Sequence, residues 1–269
     1  HWPAGGLTGG RDVDVLAAHI DLLPTLTDLL GLEKPAGPRV DGISLRSALL
    51  DEGTLLPQRT LFAHVQRAFL PPKWERSAAM SEHWRLIDGN LLYDIRSDPG
   101  QANDVAAKHP QVVKRLRADY EKWWSSLQPS LERTVRYGLG GAENPTTLAS
   151  HDWLMPGVKQ AAWHQNHIQR GALINGPWAV HVARTGTYEI TLYRWAPYLD
   201  RAMDIKEARL RIGEIDQTMA VKTSAMNATF RVVLPEGPAM LQTWLTRPDG
   251  EQHGAYYTRV RYVSPDGSP

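Results

Sequence analysis

The sequence predicts an α+β protein, in which a small antiparallel sheet with a packed long helix is followed by a β-sandwich-like domain. Three observations carry that prediction. Residues 59–95 fall into short apolar runs divided by turn signals such as Asp88-Gly89. Residues 110–127 repeat apolar side chains at helical spacing. Beyond residue 160 that spacing gives way to short β-rich runs punctuated by Gly, Pro and Asp, at the intervals of about 8–12 residues that mark sandwiches.

Residues 1–12, HWPAGGLTGGRD, are glycine-rich and read as a loop. A helix follows. Asp21 suits its N-cap, Pro24 is tolerable in the first turn, and Leu22, Leu26, Leu29 and Leu30 share one face before Gly31 stops it. Two prolines and two glycines in 33–42 form another loop. Strands are expected at 59–65, 76–80, 84–87 and 91–95. Pro110 then opens a helix whose Val113, Leu116, Tyr120, Trp123 and Leu127 step by 3, 4, 3 and 4. Residues 129–160 show no clean periodicity and read as an ordered connector between a 1–128 domain and a 161–269 domain. In the latter, strands are expected at 178–183, 186–195, 208–212, 218–221, 229–234, 239–245 and 254–263.

Composition excludes several classes. The 269 residues carry 30 Lys+Arg against 29 Asp+Glu, a net charge of +1, so no whole-protein field draws the chain to nucleic acid or to a membrane surface. No run approaches the ~18 apolar residues of a membrane helix. The absence of cysteine removes disulfides, thiolate metal sites and cysteine nucleophiles. The chain begins at His1 without an initiator Met, which reads as processing or as a cut from something longer.

Chemistry-bearing patterns are sparse. His164-x-x-His167 has no carboxylate or thiolate beside it, and a polar junction explains it better than a metal. Ser77, His83 and Asp88 are close in sequence, but a triad is a matter of geometry. The loop in 62–76 is richer. His64, Gln66, Arg67, Lys73, Trp74 and Arg76 crowd a strand end, where cations and an amide would suit an anionic substrate and Trp could stack on a ring. Its alternative is a solvated loop with tryptophan packed on the sheet. Of the ten tryptophans, Trp123, Trp178, Trp195 and Trp244 read as core, while Trp153 and Trp163 are the better ligand platforms.

The run HIDLLPTLTDLLGL followed by DGISLRSALL resembles the C-terminal part of arylsulfatase-type sulfatases, where a D-[IL]-x-P-T-L-x-D-L-x-G helix precedes D-G-x-S-L. His1-Trp2-Pro3 before glycines, Trp84-Arg85-Leu86-Ile87, Leu92-Tyr93-Asp94-Ile95, Asp98-Pro99, Asp104-Val105-Ala106 and His109-Pro110 resemble further stretches of that family, in order, over residues 1–128. Residues 150–263 resemble, more loosely, the β-rich extension of some bacterial sulfatases.

The resemblance implies an alkaline-phosphatase-like parent enzyme that hydrolyses sulfate esters of carbohydrates or aryl groups. It would use a formylglycine nucleophile and Ca²⁺, and would be periplasmic or secreted. The C/S-x-P-x-R motif and the calcium ligands of that family belong upstream of the W-P-G stretch, and this chain has none of them. Its only S-x-P, Ser97-Asp98-Pro99, has Gln101 where Arg is required. The expectation is therefore a C-terminal portion, without nucleophile, metal or activity alone, whose partner is the missing N-terminal sulfatase domain. Its substrate contacts would be His64, Gln66, Arg67, Lys73 and Trp74, then His151, Trp153 and Trp163. The sheet at 59–95 would expose an apolar patch where that domain packs. The alternative is a carbohydrate-binding accessory module without catalysis.

Overall fold

The computed structural model describes residues 1–33, 36–51, 55–65, 70–155 and 161–265. They form two compact units, one of residues 1–65 and 72–128, the other of residues 66–71 and 129–269.

The first unit opens with helices α1 (Leu22–Leu29) and α2 (Arg46–Leu50). Strands β1 (Leu61–His64), β2 (Ser77–Ser81), β3 (Trp84–Ile87) and β4 (Leu91–Asp94) follow as an antiparallel meander in sequence order. Helix α3 (Pro110–Leu131) starts at Pro110, where a missing N–H costs nothing. Its Leu116 and Tyr120 pack on Ala79, Leu86 and Leu92 of the sheet, and all five are fully buried. Gly89 is obligatory in the β3–β4 turn. Its φ is +74°, and a Cβ there would sit 2.8 Å from the Trp74 ring.

The residues that carried the family resemblance bond to one another. Asp21 accepts from Ile43 N at 3.0 Å, Thr25 Oγ1 accepts from Leu45 N at 2.9 Å, and Ser44 Oγ donates to Asp28 at 2.6 Å. Gly42 lies against the Ile20 carbonyl so closely that a Cβ would come within 2.0 Å of its oxygen. The helix segment and the D-G-x-S-L segment are thus one interlocked unit. The leucines of the α1 region share one face, but that face is not the buried one. Instead Asp21 and Thr25 are the buried residues, while Leu22, Leu23, Leu26 and Leu30 are exposed. The polar bonds fix the rotation of the helix and leave the apolar face outward. Among the described residues the unit exposes apolar side chains on α1, and α3 covers one face of the 59–95 sheet.

The second unit contains strands β5 (Tyr137–Leu139), β6 (Thr146–Ala149), β7 (Trp178–Val182), β8 (Gly186–Tyr193), β9 (Glu207–Ile212), β10 (Ile215–Ala220), β11 (Ala228–Leu234), β12 (Gly237–Thr246), β13 (Gln252–His253) and β14 (Tyr257–Ser264), with the short helix α4 (Gln165–Arg170) between β6 and β7. One sheet has the order β10-β9-β12-β7-β5, with β13 beside β12; the other has β11-β8-β14-β6. Apart from β5, which runs parallel to β7, the pairings are antiparallel. Alternate residues meet in one sandwich core: Val180, Val182, Leu210, Ile212, Leu241 and Leu245 from the first sheet, Tyr188, Ile190, Leu192, Phe230, Val232 and Val260 from the second. Residues 129–160 are more than a connector, since 137–139 and 146–149 supply a strand to each sheet. Strands of three and four residues are too short to show a period.

His253 is wholly buried, stacked on Tyr256 with ring centroids 4.8 Å apart. Burial pushes its pKa down to about 4 and that of the Tyr256 phenol up to about 12. Between 6.5 and about 4 the unfolded chain binds a proton that the native imidazole refuses. The second unit is therefore expected to lose about 3 kcal/mol as pH falls across that window, with no contribution from this group above it. Urea titrations at stepped pH check this; His253→Gln should flatten the slope, and an unchanged slope would contradict it.

Candidate functional site

His64 and residues 72–74 are tied down by their own neighbours. The Trp74 ring stacks on Tyr120 at 3.6 Å, its indole N–H donates to Glu121 at 3.2 Å, and Lys73 pairs with Glu121. His64 bonds the Pro72 carbonyl at 3.1 Å through Nε2 and lies against Trp124. These side chains brace α3 against the sheet. Gln66 and Arg67 lie outside the described residues.

The other patterns resolve similarly. Asp88 accepts from Ser77 N at 2.8 Å, while His83 faces Asp94 at 4.0 Å, so Ser77, His83 and Asp88 make no triad. Asp104 accepts from Leu92 N and Ala106 N; these amides, Ala106 first, hold its carboxyl below the usual range. The acids around the β3–β4 hairpin are turn-formers. His164 caps α4, its Nδ1 accepting from Asn166 N at 3.1 Å. Trp153, expected as a ligand platform, is in the core against Trp178 and Tyr256. Trp163 is exposed beside His164 and His167, and His151 is exposed on the turn after β6. Trp163 and His151 belong to the second unit, and His64, Lys73 and Trp74 to the first. Among the described residues no group of three or more His, Asp or Glu could hold a metal ion. The donor set does not fit calcium, and no chemistry through it is assigned to this chain. No described helix is long and apolar enough to cross a membrane.

Among the described residues, a candidate ligand surface lies on the outer face of the six-stranded sheet. Strand β12 pairs with β7 over 237–241 but with β9 only over 241–246. Where the β9 ladder stops, an open groove of about 640 Å³ lies between β12 and the β9–β10 turn. Arg136, Arg211, Gly213, Glu214, Asp216, Pro238, Ala239 and Met240 line it. Alternation extends the same face along the strands. Arg211 stands opposite both Asp216 and Gln242, and the next outward row sets Arg209 opposite Trp244. Arg209 makes a bidentate pair with Asp216 at 2.7 and 2.5 Å, and its guanidinium lies 4.7 Å from the Trp244 ring centroid. Gln242 is oriented by Asn175, to which it donates at 3.3 Å, and Arg136 donates to the Ala239 carbonyl at 3.1 Å. The face combines a partly exposed indole, planar polar groups held by their neighbours, and apolar walls.

None of these residues was singled out from the sequence, and Trp244 was read as core. The signal was present. Leu241, Thr243 and Leu245 point inward, so the period of two turns Gln242 and Trp244 outward. The groove itself depends on where the β9–β12 ladder ends, which no local pattern encodes.

No family model matches the chain, and no curated protein matches it significantly. Solved structures similar to part of it include the family 35 carbohydrate-binding module of Cellvibrio japonicus Abf62, at 16% identity over 47% of this chain and 92% of that one, TM-score 0.27. A family 35 module from Clostridium thermocellum has 12% identity over 45% of this chain and 100% of that one, TM-score 0.28. A ruminal GH26 endo-β-1,4-mannanase has 16% identity over 48% of this chain, TM-score 0.29, and only 27% of its own length is covered. Likenesses at these scores assign neither a family nor a ligand to this chain.

Proposed function

We propose that the second unit is a carbohydrate-binding module and that the chain is a non-catalytic accessory portion of a sulfate-ester hydrolase. The outer-sheet groove carries the first part. Beyond the groove on the same outer face, the Trp244 indole offers a platform to the apolar face of a pyranose, while Gln242 beside it and the lining residues Arg211 and Glu214 offer hydrogen-bond groups to its hydroxyls. The test is calorimetric titration of the chain with a panel of neutral and acidic oligosaccharides. One class binds, and Trp244→Ala weakens it about tenfold or more, the loss expected for a stacked aromatic at a binding centre. Failure of every class to bind overturns this part.

The sulfatase reading of residues 1–128 rests on the family resemblance, and one structural observation favours it. The leucines of α1 are turned outward although the helix is firmly bonded to 42–45, which suits a helix that packs on another domain of a larger enzyme. On this reading the chain self-associates through α1, and Leu26→Lys with Leu30→Lys raises the monomer fraction in light scattering. A monodisperse parent chain would count against it. The chain also leaves p-nitrophenyl sulfate unhydrolysed when Ca²⁺ is added; turnover above a blank would overturn the non-catalytic assignment.

A further inference from the structure

We infer that the outer-sheet groove is a subsite for a negatively charged substituent of the bound sugar, a sulfate ester or a uronate carboxylate held between Arg136 and Arg211. The inference rests on the carbohydrate-binding reading of the same face and adds the charge of its ligand.

The lining carries two arginines, Arg136 and Arg211, and two carboxylates, Glu214 and Asp216, the last also held by Arg209 from beside the groove. Asp216 commits both oxygens to Arg209, so that pair is internally neutral. Arg136, Arg211 and Glu214 remain on the lining. Among the described residues, neither Arg136 nor Arg211 forms an ion pair with a carboxylate. A neutral sugar would not call for this excess of guanidinium, and an anionic substituent would offset it.

The two cations are also fixed in place. Arg136 gives one N–H to the Ala239 carbonyl, anchoring its guanidinium at the wall while its other donors stay available. Arg211 projects from a strand paired on both sides, between Asp216 of β10 and Gln242 of β12, with the Trp244 ring 5.9 Å from its guanidinium. A planar fork on a rigid strand matches the paired oxygens of a sulfate or carboxylate. Pro238, Ala239 and Met240 line the groove on the β12 side, where a sugar ring bearing that group would lie.

The test titrates the chain with a κ-carrageenan tetrasaccharide, the same tetrasaccharide after desulfation, and tetragalacturonate. The expected result is that at least one charged ligand binds about tenfold or more tightly than the neutral one, which tells sulfate from carboxylate. Arg136→Gln weakens that ligand about tenfold and leaves the neutral one unchanged, Arg211→Gln weakens the charged ligand more than the neutral one, and Trp244→Ala weakens both. Added salt lowers affinity for the charged ligand alone. Equal binding of charged and neutral ligands, indifferent to both arginine variants, overturns the charge assignment while the carbohydrate reading stands. Failure of all three ligands, and of every neutral sugar on the wider panel, to bind overturns both.

Discussion

Asp21→Asn is expected to destabilise the first unit by about 3 kcal/mol or more, the range for removing one partner of a buried ion pair. The Asp21 carboxylate is 1% exposed and Arg59 is 14% exposed. Arg59 donates to both carboxylate oxygens, at 2.7 and 2.5 Å, and a third bond from Arg59 reaches the Leu16 carbonyl at 2.7 Å. Ala18 N and Ile43 N also donate to Asp21. One side chain therefore joins the segment before α1, the D-G-x-S-L segment and the approach to β1. Asparagine keeps the shape but leaves the Arg59 charge buried without its counter-ion. Hydrogen exchange of peptides across residues 16–64 should accelerate while those of the sandwich stay protected; unchanged exchange would show that the pair does not hold this region. The same site predicts an acid response. Hydrogen bonds from Arg59 hold the carboxyl down at about 2 against an ordinary 3.8. Its contribution, about 2 kcal/mol, is present above 3.8 and lost as pH falls through about 2.

Trp178→Ala is expected to cost the second unit about 3–5 kcal/mol, the range for emptying a large aromatic site in a core. Trp178 is completely buried on β7, its ring 5.7 Å from that of Trp153. Its indole N–H donates to the Ala149 carbonyl at 2.8 Å. Ala149 belongs to β6 in the opposite sheet, so this bond ties the two layers together. Trp178→Phe keeps much of the apolar area and orphans only the carbonyl, which predicts about 1–2 kcal/mol. Urea unfolding monitored by near-ultraviolet circular dichroism separates the two variants. Equal losses would mean that the hydrogen bond, not packing, dominates.

Where one periodicity decides an element, the sequence was sufficient. The step of 3 and 4 from Val113 to Leu127 becomes α3, and the run 84–87 becomes β3 with the same limits. The seven strands expected beyond residue 160 fall within three residues of their expected ends, because alternation and turn residues are local signals, whereas β5, β6 and β13 were not expected. What was not legible depended on partners distant in sequence. The leucines of the α1 region share one face by pattern, yet Asp21 and Thr25, through Ile43, Leu45 and Arg59, turn that face outward. Lys73 and Trp74 look like ligand contacts until Glu121 and Tyr120, more than forty residues on, claim them. The groove needed Arg136, Arg211 and Met240 to converge from three separate segments. Trp244 alone could have been found by counting in twos along β12.

The most direct measurement is an amide-correlation NMR titration of the chain with its tightest-binding oligosaccharide. Binding at the outer sheet face predicts shifts that concentrate on residues 209–216 and 238–244 and on the Trp244 indole N–H, with the α1 segment and α3 unchanged. Shifts confined to the turn carrying His151, to the Trp163 segment or to the loop around Trp74 would contradict it.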